Sequence, residues 1–295
     1  MKRTIEGRAQ KAHVAKNREV ELSTGEREGV SAANKALTLS NAIVRGMYSL
    51  TLNEQRLLRM AMAKAVAEHK PRTYLEKEDQ VKRSTRLNAA EFAEVFEVSL
   101  DRAYYTLKHL SKSLQSKKIR WMRPLKSNQG QVELYPTDSH WLTDVSYGHA
   151  EGWVELDWNL NIFDEVVFRL EQQFTRYRLD AVHSFKSAYT YRLFELLMSY
   201  RCKKAGRISG WLDLTVAHWC ELNDLPLTDK EGRPVNSAVV ERNTLKVPLA
   251  DLKKAGWHIT LGKKTAGRRV TGWTFAYYHD GQDEFPFPPT DAPKK

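Results

Sequence analysis

A chain that repeats itself must fold the same way twice, and this one carries one run of segments at two places. TLKHLSKSL at 106–114 falls on TLKVPLADL at 244–252, an offset of 138 that takes Thr106 onto Thr244. Without a gap the same offset carries Ile119 onto Trp257, Trp121 onto Ile259 and Lys126 onto Lys264. Farther upstream QRLL (55–58) sits on YRLF (191–194), and FAEVFEV (92–98) on VAHWCEL (216–222). Exact identities are few. The common order, and the constant offset from the third helix through the hairpin, predict two tandem copies of one supersecondary unit.

Local signals say what the unit is. Thr51 and Glu54 form T-x-x-E ahead of RLLRMAMAKAV, so the N-cap oxygen and the N3 carboxylate satisfy free amides reciprocally and a helix starts there. Asn88 and Glu91 offer the same device before FAEVF, and Ser99 caps DRAYYTLKHLSKSL. IRWM and QVELY flank KSNQGQ, two strands joined by a glycine-containing turn. Helix, helix, helix, hairpin is the order of a winged helix-turn-helix. The second copy reads SAYTYRLFELLMSYR, amphipathic through Tyr191, Phe194, Leu197 and Met198, then VAHWCEL capped by Thr215, then TLKVPLADLKKAG. WHITL and VTGWTFAYY close it around a basic turn. The expected fold is therefore α+β, with two tandem winged helix-turn-helix domains at 37–150 and 174–280. A structured connector at 151–173 joins them: Val154, Leu156 and Trp158 alternate as in a strand, a helical run follows, and Gly and Ser are scarce. Residues 1–36 read as a flexible polar arm, and 281–295, with four of the ten prolines, as an extended tail.

Charge and motifs narrow the chemistry. Lys and Arg outnumber Asp and Glu by 47 to 36, a net charge of +11 that favours a polyanionic partner without separating DNA, RNA and acidic membrane. Cys202 and Cys220 lack CxxC spacing and clustered histidines, so neither zinc, a disulfide framework nor another cofactor is expected, and a reducing cytoplasm is the natural setting. No apolar run approaches the ~18 residues of a membrane span, and MKRTIEGRAQKAHVAKNREVEL lacks the apolar middle of a signal peptide. A soluble cytoplasmic protein without a membrane partner is expected. GKKT is not a nucleotide loop: Walker A needs G-x-x-x-x-G-K-[ST], whereas Lys264 takes the Ser/Thr position, Trp257 stands five before Gly262, and strands flank the motif. There is no GxSxG or HExxH, and none of the twelve tyrosines is paired with a histidine cluster. The chain is not expected to be an enzyme.

The basic constellation is the positive signal. From Arg242 to Arg269 eight cationic side chains (242, 246, 253, 254, 263, 264, 268, 269) face one acid, Asp251, a local net of +7. Arg242, Lys246 and Lys253 stand within about 40° of one another on a helical wheel, with Leu245 and Leu252 roughly 90° to one side. A second cluster at the hairpin tip follows, the two-part footprint of a recognition helix and its wing. Pro248 either kinks this helix or restarts it in its own first turn.

Taken together, LTLNEQRLLRMA, LEQQFTRYRL, SAYTYRLFELLMSYR and LGKKTAGRRVTGWTFAY resemble the iteron-binding plasmid replication initiators, the Rep proteins, from about Asn41 to Tyr278. The combination of FT-x-Y-x-L, Y-x-x-R-L-[FY]-E-L-L and the basic wing carries the resemblance. It implies two winged-helix domains that bind directly repeated origin sites in double-stranded DNA (iterons) and an operator, without catalysis. It implies a carboxy-terminal main reader with Arg242, Asn243 and Lys246 facing bases, and Lys253, Lys254, Lys263, Lys264, Arg268 and Arg269 on phosphates. Weaker amino-terminal contacts fall to Arg102, Lys108 and Lys126. It further implies a homodimer/monomer equilibrium through the first domain, the dimer repressing its own promoter and the monomer starting replication. Host partners would be the initiator DnaA, the helicase DnaB and chaperones. A tandem winged-helix transcription regulator without origin activity is the rival expectation. Groove reading of duplex RNA is disfavoured, because side chains fit the deep, narrow A-form groove poorly.

Overall fold

The computed structural model describes residues 36–68, 83–126, 131–167, 174–204 and 207–282. The expected arm through residue 35, the tail from residue 283 and the turn at 127–130 lie outside them.

The chain opens with strand β1 (Ala36–Ser40), a short α1 (Asn41–Val44) and the long α2 (Leu52–Glu68). The Thr51 N–H donates to the Glu54 carboxylate at 2.7 Å and the Thr51 hydroxyl accepts the Glu54 N–H at 3.3 Å, the reciprocal cap expected from T-x-x-E. β2 (Ser84–Asn88) leads into α3 (Ala89–Phe96), where the Asn88 N–H donates to Glu91 at 3.1 Å. Ser99 caps α4 (Leu100–Ser113) through the Arg102 N–H. Then come the hairpin β3 (Lys118–Lys126) and β4 (Val132–His140), the strands β5 (Leu142–Gly148) and β6 (Trp153–Trp158), α5 (Leu160–Val167) and β7 (Phe174–Arg178). The second half runs α6 (Ala188–Ser199), β8 (Cys202–Lys204), β9 (Arg207–Thr215), α7 (Val216–Leu222), α8 (Ser237–Thr244), α9 (Lys246–Lys254), β10 (Trp257–Ala266) and β11 (Arg269–Gln282). Thr215 caps α7, its hydroxyl accepting the His218 N–H at 3.0 Å. Long helix, strand, short helix, helical segment and hairpin thus occur twice in the same order.

Four features differ from the sequence expectation. The segment read as a connector is not a span between halves: β6 is the middle strand of an antiparallel sheet ordered β2-β6-β5, with Leu156 opposite both Thr85 and Val145. A strand with every second residue apolar buries one face against a core while its edges pair with other strands; here Val154, Leu156 and Trp158 join the core and the first half supplies both edge strands, with Trp158 Nε1 also donating to Thr85 at 3.0 Å. β1 pairs with β7, Leu37 opposite Tyr177, so the boundary expected between 173 and 174 falls between two strands of one sheet. The two hairpins are also embedded differently. β3-β4 stands as a two-stranded ribbon, whereas β10-β11 extends through β9 to β8. Finally, α6 is not amphipathic in place. Every residue from Thr190 to Met198 is buried, including Arg192 and Glu195.

Those two charges pair with the other half. Arg59 on α2 donates to Glu195 through Nε at 2.6 Å and through Nη2 at 2.8 Å, and Nη2 also reaches the Tyr48 hydroxyl at 2.7 Å. The Tyr177 hydroxyl donates to Oε1 of the same carboxylate, the oxygen that Arg59 Nε also reaches. Burial opposes ionisation of Glu195, but the Arg59 charge and its hydrogen bonds outweigh it and hold the carboxyl below its ordinary range. Burial first, then the Glu195 charge, push the Tyr177 hydroxyl well up. Arg192 donates to the carbonyls of Val44 (3.0 Å), Gly46 (2.7 Å) and Leu222 (3.1 Å), with its guanidinium 3.8 Å from the Tyr48 ring centre. The halves share one apolar core, in which Leu57 and Leu58 join Leu193 and Phe194.

Candidate nucleic-acid interface

The helical segment with the basic residues is two helices. α8 ends at Thr244 and α9 begins at Lys246; Leu245, at φ −115°, caps both. Pro248 lies in the first turn of α9, where a missing N–H has no intrahelical partner to lose, and the ladder resumes with the Leu249 N–H on the Leu245 carbonyl at 3.0 Å. The helix restarts. The Thr244 hydroxyl donates to the Val240 carbonyl at 2.7 Å and accepts Trp219 Nε1 at 2.8 Å, which pins the junction to α7.

Burial sorts the residues around that junction. Val240, Thr244, Leu245, Pro248 and Leu252 face inward, and Arg242, Asn243, Lys246, Lys253 and Lys254 are exposed. The restart means that Arg242 and Lys253 share no single helical face, but both remain on the outer surface. Asp251 is the decisive residue. Its carboxylate is turned inward, 8% exposed, and accepts the Lys186 N–H at 2.9 Å and the Thr190 hydroxyl at 3.0 Å. The one acid in the basic stretch is therefore withdrawn from its surface.

The expected wing is a hairpin. Ala266 and Arg269 close the ladder around Gly267 at φ +61° and Arg268, with a register shift after Lys264. Glycine suits this left-handed position because it has no Cβ. Arg268 and Arg269 are exposed at the tip. Lys263 and Lys264 are engaged: Lys263 pairs with Glu241 at 3.0 Å and Lys264 with Asp213 at 2.5 Å. Glu241 also accepts Trp273 Nε1 at 3.1 Å, tying the wing root to α8. Exposed pairs of this kind contribute only about 0–1 kcal/mol, so a phosphate can displace either carboxylate.

In the first half α4 occupies the equivalent place. Ala103, Thr106, Leu107 and Leu110 are buried while Arg102 and Lys108 are exposed. Lys126 is the last residue of β3, opposite Val132, and its side chain lies outside the described residues. The structure thus brings Arg242, Asn243 and Lys246 to one helix junction, Lys263, Lys264, Arg268 and Arg269 to one hairpin, and Arg102 and Lys108 to a separate helix.

Sequence reasoning missed two things here. One is the pair of acids beneath the wing lysines. The other is Trp211 on β9, 72% exposed, which no motif singles out. Its signal was the alternation of Ile208, Gly210, Leu212 and Leu214 with Ser209, Trp211 and Asp213, a strand pattern that places the tryptophan outward.

A cleft of about 610 Å³ between the halves is lined by Tyr48, Lys117, Arg120, Asp138, Glu221 and Asp224 among others. Lys117 pairs there with Glu54 and Arg120 with Asp138. Among the described residues no three His, Cys, Asp or Glu side chains come together as metal ligands, and no helix is long and apolar enough to cross a membrane.

Residues 36–198 match the family model Rep3_N, described as Initiator Replication protein, WH1. No curated protein matches the chain. Among solved structures, the Pi initiator protein in complex with iteron DNA is similar at a TM-score of 0.62 and 18% identity, over 85% of this chain and 99% of that one. Domains 2 and 3 of RctB give 0.45 at 10% identity over 79% and 84% of the two chains. The WH1 domain of MSBI1.176, a replication protein isolated from a multiple sclerosis patient, gives 0.29 at 20% over 40% and 78%. The likeness to the Pi protein establishes the fold. The Rep3_N match runs from β1 through Met198 in α6, more than half of the sequence, and the chain belongs to the initiator replication protein family.

Proposed function

We propose that this chain is a plasmid replication initiator that binds directly repeated duplex sites at its origin through two tandem winged-helix domains. Membership of the initiator family supports the reading, as does the fold shared with a Pi protein solved on iteron DNA. Within this chain one observation carries it. With Asp251 buried, the surface from Arg242 to Arg269 offers exposed cations at a helix junction and at the adjoining hairpin, the two parts that grip a major groove and its flanking phosphates. Arg242 suits a guanine edge and Asn243 an adenine edge, while Lys246 adds a donor beside them. Lys253, Lys254, Arg268 and Arg269, with Lys263 and Lys264 once released from their acids, hold phosphates and set register. Arg102, Lys108 and Lys126 of the first domain make the weaker contacts. Origin opening, recruitment of DnaA, DnaB and chaperones, and repression of its own promoter as a dimer extend the same reading; nothing in the chain requires catalysis.

The test compares duplex binding across salt. Arg268 and Arg269 replaced together by Ala should weaken binding to all sequences and flatten the log K against log salt slope by roughly 0.9 per lost phosphate contact. Lys263 and Lys264 replaced together should flatten it as much but lose less affinity, because their contacts first require two ion pairs to break. Arg242→Ala should cost ~1–3 kcal/mol at one base position only. An unchanged slope in both double variants removes the wing from the interface. A plasmid carrying only this gene and its upstream repeats then decides between an initiator and a regulator that never fires an origin.

A further inference from the structure

The proposed reading surface is not polar throughout. α8 starts where the Asn236 side chain accepts the Ala238 N–H at 2.9 Å. Its first turn then presents Ala238 and Val239 to water, Val239 at 42% exposure. Val240 and Thr244 point inward, and Glu241 is drawn to the wing root by Lys263 and Trp273. At 3.6 residues per turn Arg242 lies about 60° to one side of Val239 and Asn243 about 40° to the other, each roughly one turn farther along. Val239 therefore stands in the middle of the face that Arg242 and Asn243 share, at the end where the helix begins. Helix stability does not account for a valine there. A β-branched side chain loses rotamer freedom in a helix, and Val239 does not join the apolar core.

We propose that Val239 is a specificity-determining residue that reads a thymine through its C5-methyl group, on the base step next to those addressed by Arg242 and Asn243. The inference rests on the proposed function and adds to it a contact that neither charge nor hydrogen bonding supplies. Of the four bases only thymine puts a methyl group on its major-groove edge, and small apolar side chains are its usual contact. A recognition helix meets base edges with its N-terminal residues, which sets Val239 ahead of Lys246 at the far end of the junction. Ala238 beside it ends at a single methyl, so the helix backbone can come close to the bases. The surroundings select DNA over an apolar protein partner. Arg242, Asn243 and Lys246 border the valine with exposed donors, and the acid of the same helix, Glu241, is engaged at the wing root. A polyanion gains from every one of those donors. An apolar protein surface laid on Val239 would strip water from two charges and an amide without replacing it.

The experiment starts from a duplex that the full chain selects out of a random-sequence pool, with binding followed by fluorescence anisotropy. Uracil, which lacks the methyl group and keeps every hydrogen-bonding group, replaces the thymines of that duplex one at a time. For the wild type, one replacement beside the positions where Arg242→Ala and Asn243→Ala act should weaken binding about fourfold, the contribution of one buried carbon group. Val239→Ala should bind the thymine duplex about fourfold more weakly and show no difference between thymine and uracil at that position. Val239→Ile should keep the difference. No phosphate contact is lost, so the salt slope should stay at its wild-type value. The thermal midpoint of Val239→Ala should not fall, because alanine is the better helix former. A fall with the thymine–uracil difference intact assigns the valine to the fold and overturns the reading. A selected duplex with no uracil-sensitive thymine overturns it too, as does a Val239→Ala chain that keeps every such difference. So does erasure of the difference by Val247→Ala instead, a residue 46% exposed on the next helix. A pool that returns no preferred sequence overturns the proposed function and the thymine contact together, whereas the other failures leave the proposed function standing.

Discussion

Asp251 shows how one residue can set the sign of a surface. Its carboxylate accepts the Lys186 N–H and the Thr190 hydroxyl in a site with little water, so it serves as an acceptor for α6 and its approach while its charge leaves the outer face. Asp251→Ala leaves that amide and that hydroxyl buried without their partner, and should lower stability by about 1–3 kcal/mol in urea titration. Asp251→Asn retains one acceptor oxygen and should recover part of the loss. A cost no larger than that of a surface substitution would show that neither bond matters. The sequence made the basic character of Arg242–Arg269 legible, since the count needs no fold. It could not show that the single acid turns inward, because the groups receiving it lie 61 and 65 residues away. Pro248 was half legible: its ring forbids a helix interior, but only the φ at Leu245 decides between a bend and a restart.

At the scale of elements, α2 and α6 meet through Arg59 and Glu195, both fully buried. Removing either partner strands the other in the core, and Arg59→Met or Glu195→Leu alone should cost about 3–5 kcal/mol. The double variant should cost less than either single change, as a well-packed apolar pair is often no worse than a buried ion pair. A urea-denaturation cycle over the four proteins measures this, and additive losses would deny the coupling. The pH dependence has a definite sign. Glu195 is held below its unfolded pKa, so its contribution is present above about pH 4.3 and is lost as pH falls through the folded value. Acid should therefore destabilise the wild type more steeply than Glu195→Leu below that pH. This pair explains why α6 was misread from sequence. Arg192 and Glu195 look like a solvated face when only the helix's own periodicity is considered, and the partner of Glu195 lies 136 residues earlier. Caps and hairpins were legible for the opposite reason, since Thr51 with Glu54 and Ser99 with Arg102 act within three residues.

Across the whole molecule, the repeated order of elements sets up two reading units and the buried network between them limits how they turn. Arg192 ties α6 to the carbonyls of Val44 and Gly46 before α2 and of Leu222 at the end of α7, and Arg45 donates to the Ser199 carbonyl at 2.8 Å. β1 and β7 add a paired strand from each side of the boundary that sequence drew. Under the proposed function, a joint built this way would make the chain a ruler on DNA, with the proposed readers, α4 and the α8–α9 junction, addressing successive major grooves about 34 Å apart on one face of the duplex. Inserting about 5 base pairs, half a helical turn, between the two halves of a binding site carries one groove to the far side. Affinity should then fall to that of one reading unit, and the salt slope should lose the contacts of the other. Inserting about 10 base pairs restores the face but not the distance, and a joint of fixed length should recover neither affinity nor slope. Equal binding to all three spacings would mean that the two units move independently and that the Arg59–Glu195 and Arg192 contacts open when DNA is bound. Binding that returns at about 10 base pairs would mean a joint that stretches without twisting, which the β1–β7 pairing and the buried guanidinium of Arg192 both oppose.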